Sequence, residues 1–113
     1  MQQIMIYARS EAGEPHQVVF TSTDDKVAVT CDCPAGKRGE LCPHKVQLAS
    51  NDLTMLYHPG QHRELLEAHM WVIQSRLSDL LLHLIQLRSE AEPDGEAISA
   101  AEAEIAAGMR EGI

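Results

Sequence analysis

Aromatic side chains are scarce in this sequence, with one Trp, two Tyr and one Phe among 113 residues. Tyr7, Phe20, Tyr57 and Trp71 are also spread along the chain, so no cluster of rings anchors a core. A domain this short with so few large apolar side chains is expected to lean on an added constraint such as a bound metal. Long apolar runs are missing too. The longest unbroken stretches of the helical half, 70–73 and 80–82, fall far short of the ~18 residues that suggest a membrane span, so a soluble protein without a membrane partner is expected.

Cysteine is limited to three, an odd number, and residues 1–10 carry no apolar leader. Both features argue against a disulfide framework and for a reducing, cytoplasmic setting. Cations are few. Nine Lys and Arg stand against seventeen Asp and Glu, a formal net charge of −8. Non-specific DNA binding rests on neutralising phosphates with Lys and Arg, which this balance disfavours. No Ser-His-Asp order, glycine-rich phosphate loop, paired-carboxylate motif or internal repeat stands out, so no catalytic residue is assigned and the chain is read as non-enzymatic. His58 and His62 are four apart, but Pro59-Gly60 breaks the helix that would align them, and His69 after Glu67 lacks metalloenzyme spacing. His83, beside Leu84, is expected at a surface or interface rather than on a metal.

What the chain does contain is one dense motif, Cys31-Asp-Cys33-Pro-Ala-Gly-Lys-Arg-Gly-Glu-Leu-Cys42-Pro-His44, which holds every cysteine. Val27, Val29, Cys31 and Cys33 keep strand alternation, so the two thiols point to one face and can meet one ion. Pro43 suits the first position of a helix, which puts Cys42 at its cap and His44 in its first turn. Pro34, Gly36 and Gly39 between the pairs have the composition of a loop that folds back. Three thiolates and an imidazole match closed, tetrahedral structural zinc sites, whereas a catalytic zinc keeps a position open for water. One structural Zn²⁺ per chain on Cys31, Cys33, Cys42 and His44 is expected.

The order Cys-x-Cys, loop, Cys-x-His resembles the SWIM-type zinc finger over about residues 16–50. The resemblance implies a β-hairpin bearing Cys31 and Cys33, a helix start bearing Cys42 and His44, and a nucleic-acid- or protein-binding role. Val46 fits the apolar position after the histidine, while Gln47 stands where the family usually has alanine.

The alternation pattern predicts strands over 3–8, 17–21 and 26–33, a short helix over 43–50, and either a short strand at 53–57 or loop in 51–60. The fold class is thus α+β, with a zinc-finger domain at 1–58 and a helical region at 59–113. From 61 to 90, Leu66, Met70, Ile73, Leu77, Leu80, Leu84 and Leu87 form a heptad seam on one long helix. Leu81, Leu82 and Ile85 broaden that seam toward an ordinary bundle face. A helix of that length runs ~45 Å and should overhang a globule with a radius of gyration of ~13 Å, so a coiled-coil homodimer is expected. After the Pro93-Asp94-Gly95 turn, Ile98, Ala101, Ile105 and Met109 recur at helical spacing and return as the second arm of an αα-hairpin.

Two functions remain open. The dimer acts as a protein-binding adaptor, or the finger binds nucleic acid through its basic residues Lys37, Arg38 and Lys45. The acidic balance favours the first.

Overall fold

The computed structural model describes all 113 residues. Alternating apolar residues build an antiparallel sheet of β1 (Gln2–Ala8), β2 (His16–Thr23) and β3 (Lys26–Cys31), in that spatial order. Its register sets Ile4, Phe20 and Val29 in one row and Ile6, Val18 and Cys31 in the next. These rows form the inner face, so Cys31 is the last inward residue of β3. Asp24 turns the chain between β2 and β3 at φ 55, a left-handed conformation that a short polar side chain tolerates.

Five helices complete an α+β fold: α1 (Pro34–Lys37), α2 (Pro43–Ala49), α3 (His62–Ile73), α4 (Leu77–Arg88) and α5 (Gly95–Glu111). Between α2 and α3, residues 51–60 form no regular strand. They make a tight turn at Leu53–Met55 and a single bridge from Leu56 to Ala8. This segment lies along β1, where the Tyr57 N–H donates to the Tyr7 carbonyl at 2.9 Å. Gln61 extends the edge with its side chain, accepting from the Tyr7 N–H at 3.0 Å and donating to the Met5 carbonyl at 3.1 Å. At the other margin, Ile113 exchanges two backbone hydrogen bonds with Val27 of β3.

The single helix expected over 61–90 is broken. Residues Gln74, Ser75 and Arg76 separate α3 from α4. The buried Ser75 hydroxyl donates to the Val72 carbonyl at 2.8 Å and accepts from the Leu77 N–H at 3.2 Å, replacing helical backbone bonds. The seam splits there. Leu66, Met70 and Ile73 face solvent at 53, 45 and 50 % exposure, while Leu65, Ala68 and Val72 fill the core instead. Beyond the break Leu77 and Leu84 are fully buried, and Leu80 and Leu87 pack against the same core. Adjacent apolar residues at 65/66 and 72/73 gave the sequence two apolar lines, of which the core took the other. No overhang results, because the chain folds into 39 × 35 × 24 Å with a radius of gyration of 13.5 Å.

Helices α4 and α5 form the αα-hairpin, with Ala101, Ile105 and Met109 buried and Arg88 bridging to Glu102 at 3.2 Å. Asp94 caps α5 by accepting from the N–H groups of Glu96 and Ala97. The two halves, 1–58 and 59–113, share one core that joins Ile6 and Phe20 to Leu65, Leu77 and Ile105. No helix is long and apolar enough to cross a membrane.

Candidate metal centre

Three local structures meet at the motif. Cys31 ends β3, and two residues on Cys33 caps α1 with extended backbone, its sulfur accepting from the Gly36 N–H at 3.3 Å. The expected plain loop is therefore partly a single helical turn. Gly36 makes that turn possible, because a Cβ there would sit 2.9 Å from both the carbonyl carbon and the Cβ of Cys31. Gly39 then reverses the chain at φ 74. Cys42 stands at the N-cap of α2, Pro43 opens the helix and His44 falls in its first turn, as the spacing implies.

The four side chains converge. One ligand atom from each of Cys31, Cys33, Cys42 and His44 lies within 4.8 Å of every other. All three cysteines are buried and unpaired by disulfides, and His44 is half-buried. The Cys31 sulfur is 3.7 Å from Nδ1 of His44. Tetrahedral bonds of ~2.3 Å to sulfur and ~2.05 Å to nitrogen would separate such atoms by ~3.6 Å, so the pair fits a shared ion through Nδ1.

The electrostatics favour a cation. The Cys42 thiol is held down to about 5, chiefly by the hydrogen bond from Cys31, while that same bond and then burial push Cys31 up. A thiol and a thiolate held this close in a buried site are an arrangement that a metal ion relieves by replacing the proton. These residues can hold a metal.

Comparison with protein-family models, curated proteins and solved structures finds no match. Function must therefore be read from the site and its surroundings.

The basic residues of the motif meet different fates. Lys37 and Arg38 are exposed, but Arg38 forms a bidentate pair with Glu40 at 3.1 and 3.2 Å, which raises the guanidinium and lowers the carboxyl from their ordinary values. Lys45 is a correction: it is only 2 % exposed, because it lies on the face of α2 that carries Leu48 and Ala49 into the core. It offers solvent almost no surface for a phosphate. Two residues that the motif did not single out also border the centre, His16 at the start of β2 and Asp32 between two ligands. A carboxylate wedged between ligand cysteines was the visible signal. His16 became a neighbour only through strand register.

Proposed function

We propose that this chain is a zinc-stabilised, non-enzymatic interaction module of the SWIM-type zinc-finger kind, cytoplasmic, and acting as a homodimeric adaptor for another protein. The observation that carries the reading is the convergence of the Cys31, Cys33, Cys42 and His44 ligand atoms within 4.8 Å. Four protein donors close a tetrahedral zinc and leave no position for a reacting water, which supports a structural role. The exposed stripe of Leu66, Met70 and Ile73 supports self-association, since apolar side chains left outside a small core mark partner surfaces.

A nucleic-acid role draws support from the exposed Lys37-Arg38 turn alone, and the Arg38–Glu40 pair reduces what that turn can give a phosphate. Elemental analysis of protein purified without added metal tests the module. About one zinc per chain is expected, and its absence would remove the basis of the proposal. Pull-downs beside nucleic-acid shift assays at two salt concentrations separate the partner classes: loss of nucleic-acid binding with a shallower salt slope in the double variant Lys37→Ala with Arg38→Ala would support the nucleic-acid role, and no detectable nucleic-acid binding by either form supports the adaptor.

A further inference from the structure

Asp32 sits between two ligand cysteines, and its side chain is tied to the start of β2. Its carboxylate accepts from the Gln17 N–H at 2.9 Å and from Nδ1 of His16 at 3.2 Å. Its own N–H donates to the Gln17 carbonyl at 3.1 Å. A carboxylate has only acceptors, so the His16 nitrogen facing it carries the proton. His16 is thereby fixed in orientation. Its ring lies against the imidazole of His44, with centroids 5.0 Å apart and planes tilted by 49°.

The position of that contact matters. Cys31, Cys33 and Cys42 are 2–5 % exposed, whereas His44 is half-buried, so the imidazole is the ligand that solvent reaches. It borders a groove of about 950 Å³ whose walls include His16, Pro34, Pro43, Gln47 and Met55. With Nδ1 turned toward the thiols, a swing of the His44 ring about its side-chain bonds would withdraw the donor atom toward this groove. The His16 ring, which packs on that of His44 and lines the same groove, stands against that swing.

We propose that Asp32 and His16 are positioning residues of the metal centre. Asp32, latched to the β2 backbone, orients His16, and His16 holds the His44 imidazole on the metal. The proposal rests on the metal reading above and adds to it which residues set how tightly and how slowly the ion exchanges. Hydrogen-bonded partners of ligating histidines commonly govern metal affinity by roughly 10–100-fold, and a packed ring without such a bond is expected at the lower end of that range.

The test uses the full chain as purified with zinc, the variants His16→Ala, His16→Phe and Asp32→Ala, and a chromophoric chelator as competitor. Affinity, the rate of zinc transfer to excess chelator, and the visible spectrum of the Co²⁺-substituted protein are recorded. His16→Ala should weaken zinc binding by about 10-fold and Asp32→Ala by less, and each should speed transfer and shift the Co²⁺ bands. His16→Phe, which keeps a ring against His44 without the link to Asp32, should recover part of each change. If Asp32→Ala fails to fold, the two His16 variants decide, since that side chain is only half-buried. A parent protein that binds zinc while His16→Ala matches it in affinity, transfer rate and spectrum overturns this proposal alone. A parent protein that binds no zinc overturns the metal reading and this proposal together.

Discussion

Arg110 donates from Nη1 to the carbonyl of Gly39 at 3.0 Å, tying the last turn of α5 to the loop that joins the two ligand pairs. The bond spans 71 residues of sequence and makes the helical hairpin a brace for the metal centre. Arg110→Ala should lower the stability of the zinc-loaded protein by about 1 kcal/mol, the typical net worth of such a bond at an accessible site. Urea unfolding with and without a chelator measures it. An equal loss in both conditions would show that the brace acts on the fold rather than through the metal loop.

Gly36 and Gly60 offer a paired comparison. A Cβ at Gly36 meets the backbone of Cys31, whereas one at Gly60 meets nothing within 4 Å. Gly36→Ala is expected to cost about 2 kcal/mol or more and to reduce metal content, because strand end and helical turn cannot separate without moving two ligands. Gly60→Ala should be neutral or stabilising by up to about 1 kcal/mol. Thermal melts and elemental analysis of both variants check the contrast.

Acid should strip the metal. Ligands must be deprotonated to bind, and Cys31, whose thiol is pushed up, holds its proton at neutral pH, so zinc binding there must release it. Cys42, held down to about 5, is already a thiolate at that pH. In the metal-free fold the pair holds one proton where two free thiols hold two, which contributes stability that is lost as pH falls through about 5, grows toward the ordinary thiol range, and declines above it, where Cys31 keeps its proton. Calorimetry in buffers of different ionisation enthalpy should register proton release on zinc binding at pH 7, and zinc affinity should fall as pH is lowered.

The split seam separates folding from assembly. Leu77 is fully buried within the chain, so Leu77→Glu places an unpaired charge in the core and should unfold the protein, at a cost of several kcal/mol. The double variant Leu66→Glu with Met70→Glu changes only the exposed stripe and should leave circular dichroism intact while converting a dimer to a monomer. Light scattering on the parent at micromolar concentration sets the baseline. A monomeric parent refutes the proposed homodimer.

The metal motif and the sheet were legible because both rest on short-range rules. Strand alternation from Val27 to Cys31 and the helix-start preference of Pro43 each fix side-chain direction within a few residues. The helix break was not legible, since Ser75 is compatible with a helix interior and only its burial lets the hydroxyl displace backbone bonds. Whether Leu65 or Leu66 faced inward depended on the path of α3 beneath the sheet, a long-range outcome that a heptad count cannot see. The burial of Lys45 was not legible for a related reason: its charge is a property of the residue, while its exposure follows from the face of α2 that packs. His16 lies 28 residues before His44 and reaches it only through the β2–β3 register.

The side chain of Gln61 stands in for a peptide group beside β1, and Ile113 does the equivalent with its backbone beside β3. Each interrupts the run of unpaired amides that would otherwise invite a further strand, the usual seed of fibrous aggregation. Gln61→Ala should therefore leave the metal site alone yet shorten the shelf life of concentrated stocks, seen as a rise in thioflavin fluorescence over days. With its sheet margins blunted in this way, the chain leaves little open strand edge for a further copy to extend through backbone hydrogen bonds.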